Sequence, residues 1–198
     1  MHEGNWIWDE SQSWLRERSN TLAHFTRGPH KHCPLYHRLN FGDDACMIFG
    51  VAATKSAVVI AETKGTGNKF AITAIRPIPF EARSGDNLAE LLRCLITIFD
   101  GSGRGANSTI ALLKCSSGRF GSCLEAIKGE AITELAAFQK GLRVVKVAPQ
   151  SLKKTLGCAA KQKWRDRAAE LFNPDSKHRN WSKGAAGAVA VAFKVAGD

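Results

Sequence analysis

The 198-residue sequence contains no apolar run approaching the ~18 residues that a membrane-spanning helix needs. Its first residues set Glu3, Asp9 and Glu10 among tryptophans, where a secretory signal would place basic residues and then a greasy stretch. The expectation is a soluble, cytoplasmic protein with no membrane partner. The six cysteines, Cys33, Cys46, Cys94, Cys115, Cys123 and Cys158, are irregularly spaced and form no C-x-x-C pair. That argues against a redox dithiol and for reduced, mostly structural thiols. No histidine stands between Met47 and His178, which leaves a serine or cysteine nucleophile there without a nearby base in sequence. Internal repeats and low-complexity tracts are absent. The one glycine-rich stretch, Gly101 to Gly105, follows a helical pattern instead of leading from strand to helix, so it is a connector and neither a Walker loop nor a dinucleotide fingerprint.

Two methionines occur, Met1 and Met47, and the character of the chain changes at the second. Residues 1–46 hold five of the six histidines, three of the five tryptophans and the only tyrosine, without a sustained apolar period. They are expected to be an atypical N-terminal extension, poorly ordered or lying upstream of a natural start at Met47. His30, His32, Cys33 and His37 crowd together there. A structural zinc site takes paired ligands from two separated knuckles, so this single cluster is expected to be incidental. Charge divides in the same way. Residues 1–46 carry five Lys or Arg against six Asp or Glu, and residues 47–198 carry 23 against 12. Such a basic excess concentrates polyanions, nucleic acid foremost.

From Met47 onward the apolar periods are regular. Met47–Ala53, Ala57–Thr63 and Lys69–Arg76 read as an antiparallel meander, with Pro77 and Pro79 beyond it. Leu88, Leu91, Leu92, Leu95, Ile96 and Phe99 recur at helical spacing behind Asp86, the expected N-cap. Thr109–Cys115 reads as a strand. In the helix after it, Leu124, Ile127, Ala131, Leu135 and Phe138 form the apolar stripe, with Gly141 as C-cap. Leu142–Ala148 is a fifth strand, ended by Pro149. Three helices follow: Leu152–Leu156 capped by Ser151, Trp164–Phe172 and Lys183–Val195. Right-handed crossovers then give an α/β fold, a mixed five-stranded sheet of three antiparallel strands and two parallel ones, with helices on both faces.

Several segments carry a resemblance. Phe49 to Ser56 resembles the first strand and turn of RuvC-like domains, Val144 to Leu156 their fifth strand and the step after it, and "SKGAAGAVAVAF" their closing helix. Lys114 to Ile132 is similar to a segment of an uncharacterised bacterial family of short RNase H-like proteins. The resemblance covers residues 47–198 and none of the leader. It implies an RNase H-like domain of the RuvC type. In active members, acids on the first strand, at the end of the fourth and on the last helix hold two divalent metals, Mg²⁺ or Mn²⁺, because hard cations require carboxylate oxygen. Here the matching positions are Ala52, Leu113–Lys114, Gly184 and Gly187. Neither Ala nor Gly has a side-chain ligand, and Lys114 brings the wrong charge for a metal.

The implied domain has no cofactor and no catalytic residues. A nuclease with relocated carboxylates is the alternative, its candidate acids being Glu62, Asp100, Glu125 and Glu130. Glu125 and Glu130 point roughly 140° apart on one helix and cannot face the same metal. A basic surface remains: Lys153, Lys154, Lys161, Lys163, Arg165 and Arg167, then Lys177, His178, Arg179 and Lys183 around Trp181. Cations there would meet phosphates, and Trp164 or Trp181 would stack on a base, the alternative for Trp164 being to anchor its helix in the core. A second phosphate candidate is Lys114 with the loop carrying Arg119 and Phe120. The expected partner is DNA or RNA. A protein partner or a homodimer is the expectation if the fold has kept an interaction surface and lost nucleic acid.

Overall fold

In the central strands both alternating sets of side chains are apolar, and a strand of that kind needs cover on each face. The computed structural model describes residues 47–101, 108–115 and 123–198. The leader, most of the glycine-rich connector and the loop with Arg119 and Phe120 lie outside the described residues. Five strands form one sheet: β1 (Met47–Ala53), β2 (Ala57–Lys64), β3 (Ala71–Pro79), β4 (Thr109–Leu113) and β5 (Arg143–Val147). Their order is β3-β2-β1-β4-β5. β1 and β3 run antiparallel to β2, whereas β4 is parallel to both β1 and β5. This is the mixed α/β arrangement expected from the order of elements.

One face carries Phe49, Val51, Val58, Ile60, Ile110 and Leu112. It is covered by α1 (Gly85–Gly101), through Leu91, Leu95, Ile98 and Phe99, and by α2 (Leu124–Gln139). The other face carries Ile48, Ala52, Val59, Ala61 and Ala111. It is covered by α3 (Pro149–Thr155), α4 (Trp164–Phe172) and α5 (Lys183–Gly197). Ser182 caps α5 by accepting a hydrogen bond from the Ala185 amide at 3.2 Å, and Gly141 closes α2 at φ +64°. No helix among the described residues is long and apolar enough to cross a membrane.

Four expectations need correction. β3 does not stop at Arg76 but runs on through Pro77 and Pro79. It is the edge strand, where a missing N–H can face solvent without breaking a ladder. The first helix is capped by Ser84, whose hydroxyl accepts from the Asn87 amide at 3.3 Å, and Asp86 lies in its first turn. Pro149 opens α3 instead of merely ending β5, as its fixed φ suits the first helical turn. Ser151 donates to the Ala148 carbonyl at 2.8 Å and is no cap.

The fourth correction is larger. The apolar stripe of α2 faces solvent: Leu124, Ile127, Leu135 and Phe138 are 61%, 47%, 42% and 82% exposed. The buried face consists of Ala126, Gly129, Glu130, Thr133, Ala136 and Ala137. Small residues win there because helix and sheet approach closely. A Cβ on Gly129 would lie 3.1 Å from Ala53, Phe80 and Val58.

Candidate nucleic-acid interface

Helix α5 is made almost entirely of Gly, Ala and Val, and it lies along β1, β2 and β4 as closely as such residues permit. Its seam with the sheet gathers the positions at which the resemblance leads one to look for metal ligands. A Cβ placed on Gly187 would meet Leu113 Cδ2 at 3.0 Å, Ala52 Cβ at 3.1 Å and the Trp164 ring at 3.8 Å. One on Gly184 would meet Val59 Cγ2 at 2.7 Å and Thr54 Cγ2 at 3.1 Å. Ala52, Leu113, Gly187 and the Trp164 ring edge therefore converge on one apolar contact, with Gly184 in the same seam. These residues do not fit a divalent metal, since none offers a side-chain oxygen and the gap that a carboxylate would occupy is closed by carbon. Lys114, the next residue after Leu113, is exposed, and its amide donates to the Val147 carbonyl at 2.9 Å.

The buried acids are engaged elsewhere. Glu62, 7% exposed, takes the Arg76 guanidinium at 2.5 Å across the β2–β3 pair. Glu130 accepts from the Cys115 amide at 2.8 Å and lies 3.3 Å from Lys146 Nζ, which also pairs with Glu134 at 2.6 Å. Hydrogen bonding to Glu134 holds the Lys146 ammonium above the ordinary lysine range; burial opposes this and Glu130 assists it. Asp100 pairs with Lys140 at 2.6 Å. Glu130 thus ties the end of β4 to α2 and β5, a role that sequence reasoning did not assign to it. The signal available was a glutamate set among Gly, Ala and Thr on a helix face.

The basic residues are placed differently. Lys153 and Lys154 on α3, Lys161 and Lys163 in the turn after it, Arg165 on α4, and Lys177, Arg179 and Lys183 before and at the start of α5 are all exposed. No ion pair engages any of these eight among the described residues, whereas Arg167 is tied to Glu170 at 3.0 Å. Both α3 and α4 pack on α5. Trp164 takes the second of its two expected roles. At 8% exposure it anchors α4 in the core and has no face for a base, and the Arg165 guanidinium covers its ring at 4.4 Å. Trp181 is half-buried and stacks on His178 at 6.3 Å. Burial, with Lys177 beside it, pushes the His178 pKa below 6.5.

No protein-family model matches the chain. No curated protein matches it either. Solved structures do. The chain is similar to Thermus thermophilus RuvC in complex with a Holliday junction substrate, at 11% identity and a TM-score of 0.58, over 75% of this chain and 90% of that one. A second structure of Thermus thermophilus RuvC matches at 15% identity and a TM-score of 0.56, over 74% of this chain and 90% of that one. The likeness, with the strand order above, establishes the RNase H-like fold of the RuvC type.

Proposed function

We propose that this RuvC-like domain binds nucleic acid through its phosphates and does not cleave it. The observation that carries the reading is the set of eight exposed cations on α3, α4 and the approach to α5, none of them in an ion pair among the described residues, together with the carbon-filled seam at Ala52, Leu113 and Gly187. Cations with no carboxylate partner are available to displace counterions from a phosphate backbone, an attraction that carries no sequence preference of its own. Lys153, Lys154, Lys161, Lys163, Arg165 and Lys183 are the residues assigned to this surface. Lys114 and Arg119 are a further pair for a phosphate beyond β4. The Thermus neighbour's Holliday junction favours branched DNA among the ligands to try first. In this reading residues 47–198 are the functional domain of a cytoplasmic protein, residues 1–46 are an extension to it, and no metal is needed.

The test is fluorescence anisotropy of the full chain with branched, duplex and single-stranded DNA and RNA across a salt series, with and without Mg²⁺ or Mn²⁺. The same samples are run on a denaturing gel. Binding is expected to fall steeply with salt and to need no metal, with intact substrate. Each cation in contact contributes about −0.9 to the slope of log K against log salt on duplex DNA, so the variant K153E/K154E flattens it by roughly two. Metal-dependent cleavage lost on Glu62→Gln or Glu130→Gln would instead establish a nuclease with relocated carboxylates. No binding to any ligand would leave a protein-interaction module.

A further inference from the structure

β3 ends in Ile78 and Pro79, and the chain then turns at Phe80 toward α1. Between that turn and α1 the surface opens into a groove of about 470 Å³, within the range of about 300–1,000 Å³ usual for binding clefts. Phe80 and Leu91 are buried and form its floor, Ile78 and Pro79 continue the apolar lining, and the exposed Glu81 and Glu90 stand at its mouth. Its walls are tied down. The Phe80 amide donates to the Ser56 carbonyl at 3.1 Å, and Lys128 Nζ donates to the Ala82 carbonyl at 2.9 Å. A cleft held in this way is preorganised, so little ordering is left for a ligand to bring about.

Charge singles out the occupant. Residues 47–198 carry 23 Lys or Arg against 12 Asp or Glu, yet this groove is lined by two carboxylates and by no cation. Lys55, Arg83 and Arg93 are near in sequence, but none of them lines it. Glu81 meets Arg83 at 3.7 Å with both side chains largely exposed, a pairing worth little that a better-placed cation displaces. Glu90 is in no ion pair among the described residues, and neither is Asp86, four residues before it on α1. Like charges at that spacing repel each other, which a bound cation relieves. An arginine side chain has the matching chemistry: its methylene stem lies on apolar surface while its planar, permanently charged fork reaches carboxylates. Nucleic acid is repelled by the same carboxylates, and the exposed cations on α3, α4 and the approach to α5 belong to the opposite face of the sheet from α1.

We propose that this groove is a docking site for a protein segment that presents an arginine next to an apolar side chain. The guanidinium pairs with Glu81 and Glu90, and the apolar neighbour covers Ile78 and Pro79. This inference does not depend on the nucleic-acid reading, and its test contains no nucleic acid.

The isotope-labelled full chain is titrated with an acetylated, amidated pentapeptide holding arginine between leucines, and the amide shifts are followed by NMR. Shifts are expected to centre on Ser56, Asn87, Glu90 and Leu91 and to saturate at about 0.1–1 mM, the strength of one small site. The same peptide with citrulline in place of arginine keeps the shape, loses the charge and is expected to bind about tenfold more weakly or worse. The double variant E81Q/E90Q should weaken the arginine peptide by a similar factor. Both positions are exposed, so Tm should be unchanged, which separates a lost site from a lost fold. No localised shift at millimolar peptide overturns the proposal. Equal binding of the citrulline peptide, or binding that survives E81Q/E90Q, shows an attraction that does not use these carboxylates and overturns it equally.

Discussion

Replacing Gly50 with alanine tests whether the seating of α5 holds this fold together. A Cβ at residue 50 would stand 1.9 Å from the Ala188 carbonyl oxygen, 2.8 Å from its carbon and 2.9 Å from Ala192 Cβ. The shortest approach falls about 1.5 Å short of ordinary van der Waals contact at 3.4 Å. No rotamer change relieves it, because the obstruction is main chain in the middle of a helix. Either α5 lifts from β1 or the strand bows. Lifting by even 0.5–1 Å forfeits about a quarter to a half of each dispersion well along the seam, where Ala185, Ala188, Val189 and Ala192 are fully buried. Overpacking into a tight core costs about 1–3 kcal/mol, and a backbone obstruction belongs at or above the top of that range. For a domain of this size about 3 kcal/mol lowers Tm by roughly 6–12 °C. Gly197→Ala is the matched control, since nothing lies within 4 Å of a Cβ in that last turn of α5, and removing a helical glycine should stabilise by up to about 1 kcal/mol. Urea titration followed by tryptophan fluorescence, with a thermal melt by circular dichroism, measures both. A Gly50→Ala chain within about 1 kcal/mol of wild type would refute the seam as described.

Two further outcomes follow from the polar contacts. Glu130→Ala removes the acceptor for the Cys115 amide and one partner of Lys146, at an expected cost of about 1–3 kcal/mol in urea unfolding, with Glu130→Gln costing less because an amide oxygen still accepts. His178 titrates below 6.5 in the folded chain, through burial first and Lys177 second. The unfolded chain therefore takes up the proton first as pH falls, and the stability linked to this group is complete above pH 6.5 and lost as pH falls through the folded value. Denaturant midpoints of wild type and His178→Gln should accordingly differ in pH dependence between neutral and mildly acidic solution, and parallel curves would refute the assignment.

Much of the fold was legible because its signals are local. Short apolar runs between turns marked β1 and β2, Gly141 announced the end of α2, and the order of elements implied the mixed sheet. The failures came where tertiary context decides between local preferences. Pro77 and Pro79 read as a stop until β3 is known to be an edge. In α2 the hydrophobic stripe argued for one face and the sheet accepted the other, since only Gly129, Ala136 and Ala137 allow the approach and Glu130 is satisfied by the Cys115 amide. For the site, the unusual residues at 52, 184 and 187 stood out in the sequence, but their joint contact with Leu113 and Trp164 did not. Four segments supply those residues, and no spacing rule links them. Trp164 could not be assigned between base and core from the sequence, because the charge on Lys161, Lys163 and Arg165 says nothing about its own burial.

The flush seating of α5 has a consequence for which substitutions this chain can accept. Any side chain at 184 or 187 has to displace what the sheet already presents there, Val59 and Thr54 in the first case and Leu113 and Ala52 in the second. A larger residue at either glycine is therefore accommodated only together with a change in the sheet residue it meets. Single substitutions at 184 and 187 are thus constrained by pairs of positions and not by one residue alone.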